Sequence, residues 1–377
     1  MRLRYPLMGL SVLMLVAGMW AGLVRLGWSL PHTGYLPGAH GALMVGGFLG
    51  TLIGLERAVA VRRSWAYLAP ALSGLGGAAL VLLLGLGWPL WLAGPVLITL
   101  GSMVLVIVYV SVLRIQFTLF TATMALGALV WACGNLLWLL WLPIYQTVLW
   151  WAGFLVLTIV GERLELTRML PRSTASNPLF VFSTAIFLGG LVLSVPAHDA
   201  GARLMGVGLI CFAGWLARYD IARRTVRQSG MTRYIAVGLL AGYIWLFISG
   251  VFYLLYGGVA AGPRYDSLLH SMFLGFVFSM IFAHAPIILP AITGLTVPFR
   301  AVFYAHLALL HASVALRVAG DLLSWVAGRQ WGGLLNVVAL LVFMANTALA
   351  VISYYRTPRK ARTLHEHTGI QAPAHRQ

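Results

Sequence analysis

Twelve stretches of this 377-residue chain are apolar over about 20 residues, the length needed to cross a hydrocarbon core. They lie near 6–28, 39–61, 66–87, 89–113, 117–141, 145–166, 178–196, 202–220, 234–256, 267–292, 300–320 and 331–355. Only 9% of residues are charged, against about a quarter in an ordinary soluble domain. The fold class expected is therefore an all-α polytopic membrane protein of about twelve transmembrane helices.

A formal net charge of +17 invites a nucleic-acid reading, but the placement of the charge argues against one. With a cytoplasmic N-terminus, 20 of the 25 Lys and Arg residues fall at cytoplasmic span ends or in the tail. The exceptions are Arg25, Arg203, Arg264, Arg317 and Arg329. The positive-inside rule accounts for this bias and puts both termini in the cytoplasm. The partner implied is the lipid bilayer, in a bacterial inner membrane, and not nucleic acid. The first run has no Ala-x-Ala exit and leads straight into more spans, so it reads as a helix and not a cleaved signal. Cys133 and Cys211 stand alone in apolar runs and read as small buried hydrophobes. Short loops make 1–355 one integral domain, and 356–377 is expected to be a basic, disordered cytoplasmic tail. Its His365, His367 and His375 read as solvated.

Ionisable groups within spans are costly and are candidates for function by default. Those here are Arg25, His40, Glu56, Glu162, Glu165, His270, His284, His306 and His311. His40 and His270 open spans 2 and 10, which both run inward, so the two imidazoles share a depth near the outer surface. Two neutral imidazoles so placed suit the iron of a low-spin, electron-transferring haem. The plainer alternative is a pair of interfacial histidines hydrogen-bonded to backbone or water. His284 follows His270 by 14 residues, on nearly the same face but about 21 Å deeper, so it cannot serve the same iron. His306 and His311, five apart, fall on different faces of span 11, unlike the i, i+4 pair of a helical metal site. Together with His284 they are the reserve of ligands for copper or a second iron, against the plainer reading of polar helix contacts.

Arg25, near the outer end of span 1, suits a haem propionate or else snorkels to the headgroups. Glu56, Arg57, Glu162, Arg163 and Glu165 read as ion pairs at cytoplasmic helix ends, with Glu162 the proton-relay candidate. Gly46, Gly47, Gly50 and Gly54 in span 2 suit either close helix contact or a macrocycle lying flat on the helix.

The runs Leu23-Val-Arg25-Leu-Gly-Trp-Ser-Leu-Pro31 and Ala39-His40-Gly-Ala-Leu-Met-Val45 resemble spans 1 and 2 of the main, haem-bearing subunit of the haem–copper oxidases. Leu269-His270-Ser-Met-Phe-Leu-Gly-Phe-Val-Phe-Ser-Met-Ile281, with His284-Ala-Pro-Ile-Ile-Leu-Pro-Ala-Ile-Thr-Gly294, is similar to that family's tenth span. The resemblance implies an oxidase-like bundle holding a b-type haem. His40 and His270 would be its axial ligands, with Arg25 the haem-contacting arginine and His32 in support. The chain departs from the family in spans 6 and 7, which lack the copper-ligand histidines, and in carrying one histidine where the tenth span usually has His-x-His. That removes the oxygen-reducing centre. The chain also resembles the NnrS group, a divergent branch associated with haem, copper and nitric oxide stress.

The function expected is a membrane haem protein for electron transfer or nitric oxide handling, served by an electron donor or a respiratory complex. If enzymatic it is an oxidoreductase, but not a standard terminal oxidase. Two rivals stand beside it. One is a cofactor-free, proton-coupled transporter, suggested by Pro286 and Pro290 breaking span 10. The other is an assembly factor for a true haem–copper oxidase.

Overall fold

Inside a bilayer the peptide groups find no water, so a spanning segment satisfies them within a helix or a closed barrel. The computed structural model describes residues 3–32, 34–87, 89–167 and 173–356; of the tail expected to be disordered, Arg356 ends the last helix and 357–377 lie outside the described residues. Among the described residues there are twelve helices long and apolar enough to cross a membrane. We number them α1 (Arg4–Arg25), α2 (Leu36–Val61), α3 (Ser64–Leu83), α4 (Leu90–Ile115), α5 (Leu119–Leu139) and α6 (Ile144–Thr167). The second half contains α7 (Ser176–Leu193), α8 (His198–Tyr219), α9 (Gly230–Tyr256), α10 (Pro263–Thr293), α11 (Phe303–Leu322) and α12 (Val326–Arg356). The expected runs and the observed helices agree to within a few residues at most ends.

Sequential helices pack as antiparallel neighbours, notably α3 with α4, α5 with α6, α7 with α8 and α11 with α12. The ends meet as twelve alternating spans require. Arg4, at the start of α1, donates to the Tyr67 hydroxyl of α3 and to the Ile292 carbonyl at the end of α10. Tyr355, at the end of α12, accepts from the Thr296 amide just past α10. Helices α6 and α10 form the interior, with 78% and 67% of their apolar windows buried, whereas α12, at 28%, lies on the rim.

Two departures from regular geometry bear on the site. In α2 the segment Leu43–Gly50 is π-helical, and in α10 so is Ser271–Phe278. Each begins within three residues of a histidine, His40 or His270. A π-turn holds one extra residue, which turns everything beyond it by about 100° relative to an ideal helix. The expectation that His284 repeats the face of His270 therefore fails. His270 faces His40 of α2, and His284 faces Arg163 of α6.

The prolines that suggested a transporter do not break helix α10. It runs unbroken to Thr293 with Pro286 and Pro290 inside it. Pro286 has no N–H to give the Phe282 carbonyl, four residues back. The Tyr234 hydroxyl of α9 donates to that carbonyl instead, at 3.2 Å.

The glycines of α2 pack against other helices. A Cβ on Gly46 would meet Ile98 of α4, one on Gly47 would meet Met14 of α1 and Gly77 of α3, and one on Gly54 would meet Pro70 of α3. A Cβ on Gly50 would strike the Trp131 ring of α5. These four glycines are accordingly helix contacts, and none lines the cavity described next.

Candidate functional site

The early turns of α2 and α10 bring the His40 and His270 rings together. Their ring centroids are 6.3 Å apart and their planes differ by 26°. Eight residues further along each helix, Phe48 and Phe278 stack at 5.9 Å and 18°. The two parallel helices are thus joined by two successive ring pairs, the polar one nearer the outer face.

Each imidazole is fixed through the same nitrogen. His40 Nδ1 lies 2.7 Å from the Gly18 carbonyl of α1, and His270 Nδ1 lies 3.0 Å from the Asp266 carbonyl one turn back. A carbonyl only accepts, so Nδ1 carries the proton in both rings and Nε2 holds the lone pair in the neutral form. Neither Nε2 has a hydrogen-bond partner among the described residues, and both rings line one cavity. Close approach of α1 allows this placement, since a Cβ on Gly22 would sit 2.9 Å from His40 Cε1.

The cavity measures about 270 Å³. Its polar lining includes Arg25, Tyr265, Asp266, Arg317, Arg329 and Asn336. Three of the five outer arginines therefore converge on the histidine pair. Arg317 is engaged in a two-pronged ion pair with Asp266, Nε to Oδ2 and Nη2 to Oδ1, both at 2.7 Å. Arg329 lies 4.0 Å from Asp321. Among the described residues Arg25 reaches only the Pro37 carbonyl, at 3.4 Å. His32 is exposed, bonds the Leu30 carbonyl at 2.8 Å and is not part of the lining.

The centroid separation matches that expected for one metal between the imidazoles. A metal–nitrogen bond of about 2 Å, plus about 1.1 Å from nitrogen to ring centre, puts two trans imidazole centroids roughly 6 Å apart. The observed separation is 6.3 Å. An arginine without an acidic partner at the rim suits a carboxylate on the bound group.

The other three histidines do not form a second metal site, because each ring is consumed by a separate hydrogen-bond chain. His284 Nδ1 gives its proton to the Met280 carbonyl at 2.8 Å, and its Nε2 accepts from Arg163 at 3.1 Å. His306 accepts at Nδ1 from Asn346, so its Nε2–H donates to the Tyr234 hydroxyl at 3.0 Å, which passes its own proton to Phe282. His311 accepts from the Trp245 indole at 3.0 Å and donates to Ser279, which donates to the Gly238 carbonyl. Among the described residues no group of three or more His, Cys, Asp or Glu is placed to hold a metal ion. The reserve of ligands for copper or a second iron is thus spent on helix packing, since a ring that donates at one nitrogen and accepts at the other has no lone pair left.

At the cytoplasmic end Arg57 pairs with both Glu56 and Glu162. Arg163 is buried and grips Asp220 by two hydrogen bonds, at 2.7 and 2.9 Å. Of the ion pairs expected there, Arg57 with Glu56 and Glu162 is present, whereas Arg163 takes Asp220, which lies outside the expected set.

Sequence reasoning passed over Asp266 and Arg317, which hold His270. The available signal was the i, i+4 spacing of Asp266 and His270, which puts both on one helix face.

Two curated proteins are similar to part of the chain. Both are the D component of the ion-translocating oxidoreductase complex of Vibrio vulnificus, from strains YJ016 and CMCP6, and each is 28% identical over 212 residues. The match takes in 55% of this chain and 51% of the relative, so the chain spans about half the length of the curated relatives it matches. A family model described as a domain of unknown function, DUF8744, matches residues 4–352, and the chain belongs to that family.

Proposed function

We propose that this protein is a multi-pass haem protein of the bacterial inner membrane, built on an oxidase-like bundle, that passes electrons through one b-type haem ligated by His40 and His270. One observation carries the reading: two imidazoles on parallel helices, each proton-locked at Nδ1, with free Nε2 atoms on one cavity and centroids 6.3 Å apart. A bis-histidine haem exchanges electrons without an open coordination site. Electron transfer is therefore favoured over nitric oxide binding, which would require one imidazole to leave. Arg25 would meet a propionate at the outer rim. The name of the Vibrio relatives, components of an oxidoreductase complex, supports a redox partner within a membrane assembly.

The test is an optical spectrum of detergent-purified protein, oxidised and dithionite-reduced, beside His40→Ala and His270→Ala. Sharp reduced α and β bands that disappear in both variants are expected. A colourless preparation from haem-replete cells overturns the reading and favours a cofactor-free transporter. Bands that survive both substitutions place the haem elsewhere.

A further inference from the structure

The two histidines are not equivalent. His40 Nδ1 meets a backbone carbonyl, a neutral acceptor fixed by α1. His270 Nδ1 meets Asp266 twice, with the carbonyl oxygen at 3.0 Å and the carboxylate Oδ1 at 3.1 Å. That carboxylate is itself immobilised. Both of its oxygens accept from the Arg317 guanidinium of α11, at 2.7 Å each. The Arg317 side chain is 8% exposed and that of Asp266 20%, so solvent screens the set only partly. Across the interface, α12 is close enough that a Cβ on Gly332 would strike the backbone of Arg317.

We infer that Asp266, clamped by Arg317, is the positioning residue for His270: it fixes the ring's rotation and makes His270 the more electron-donating of the two axial imidazoles. The inference rests on the haem reading above and extends it. A carboxylate behind the Nδ1–H draws the proton toward itself and raises the basicity of Nε2. A stronger donor stabilises the more oxidised metal, so the clamp lowers the reduction potential. Arg317 acts in the opposite sense. Its guanidinium withdraws density from the carboxylate and adds positive charge beside the cavity, so it sets how much of the Asp266 effect reaches the imidazole. Three helices thus determine one ligand's strength: α10 carries the histidine and the carboxylate, α11 supplies the guanidinium, and α12 packs behind it.

The experiment is redox titration of the full-length protein in detergent, followed in the haem α band, with the ferric low-spin EPR signal recorded on the same samples. Wild type is compared with Asp266→Asn, Arg317→Gln and, as a charge control at the same cavity, Arg25→Gln. Asp266→Asn is expected to raise the midpoint potential by at least a tenfold change in the redox equilibrium constant, about 59 mV for a one-electron couple. Arg317→Gln is expected to lower it. Both should alter the EPR g-spread, because the His270 ring loses the fixed carboxylate and keeps the main-chain carbonyl of residue 266 as its one fixed partner. Arg25→Gln should lower the potential, giving the size of a charge effect that does not pass through Asp266.

Wild type that binds no haem through His40 and His270 ends the haem reading, and this inference with it. Wild type with the expected haem, but with Asp266→Asn and Arg317→Gln shifting the potential in the same direction or by less than twofold, overturns the inference alone. Shifts of opposite sign without any change in g-spread also overturn it, reducing the pair to background charge. Should Asp266→Asn lose its haem, the sign and g-spread of Arg317→Gln decide the matter.

Discussion

The rings of His40 and His270 are 26° from parallel, and each is held at that angle by a hydrogen bond from Nδ1 to a main-chain carbonyl. The orientation of two axial imidazoles controls the splitting of the iron d-orbitals. Near-parallel rings give a rhombic low-spin ferric EPR signal, and perpendicular rings give one dominated by a single large g value. With the proposed haem bound, the oxidised protein is expected to show the rhombic form. A signal of the perpendicular type would mean that at least one imidazole turns away from the observed orientation when the iron is bound.

Gly22 gives a local test of the same geometry. A methyl group there would press on His40 Cε1 from 2.9 Å and on Nδ1 from 3.1 Å. Neither atom can give way without lengthening the bond to Gly18. Gly22→Ala is expected to tilt the ring and weaken retention of the proposed haem about 10- to 100-fold, the usual scale for disturbing the support of a metal-binding histidine. Stability should change little, since alanine suits a helix interior better than glycine. The measurement is haem occupancy per protein after exhaustive detergent washing, and unchanged occupancy would refute the steric argument.

Tyr234 is the device that lets α10 keep its prolines. Its hydroxyl accepts from His306 and donates to the Phe282 carbonyl left open by Pro286. Tyr234→Phe removes both bonds and is expected to cost about 1 kcal/mol, in keeping with hydrogen bonds between membrane helices. In a Pro286→Ala background residue 286 regains its N–H and can satisfy Phe282 itself, so the cost of Tyr234→Phe should fall. Unfolding of the four proteins in mixed micelles closes the cycle. Strictly additive losses would show that the hydroxyl and the proline do not compensate each other.

The spans are readable because apolar length alone decides what can cross a bilayer, and the depth of His40 and His270 follows from span parity. Rotation about the helix axis is not readable. Runs such as Leu43–Gly50 and Ser271–Phe278 are apolar on every side, so no polar stripe marks which face meets which neighbour. The π-turns add a phase shift that no ideal periodicity carries, and for that reason ideal spacing puts His284 on the wrong face. The three saturated histidines are hard to judge for a related reason. Their partners, Arg163, Tyr234, Asn346 and Trp245, come from three other helices, and residue type alone does not reveal which lone pairs those partners take.

The contrast between two Arg–Asp pairs tests how the bundle treats charge. The side chains of Arg163 and Asp220 are 3% and 0% exposed, while those of Arg203 and Asp199 are 42% and 63% exposed. Removing one partner of a sealed pair strands the other charge. Asp220→Ala is therefore expected to destabilise the protein by about 3–5 kcal/mol. Replacing both residues, as Arg163→Met with Asp220→Leu, leaves no stranded charge and should recover most of that loss. The loss that remains is about 1 kcal/mol, because Asp220 Oδ1 also accepts from the Ala222 amide at 2.7 Å, at the start of the short helix Ala222–Thr225. Asp199→Ala, whose ion pair stands in water, should leave stability unchanged within error. Unfolding midpoints measured in one detergent decide between these outcomes. If Asp220→Ala proved as mild as Asp199→Ala, water would have to reach Arg163, and the closed packing of α6 against the end of α8 and the short helix beyond it would be wrong.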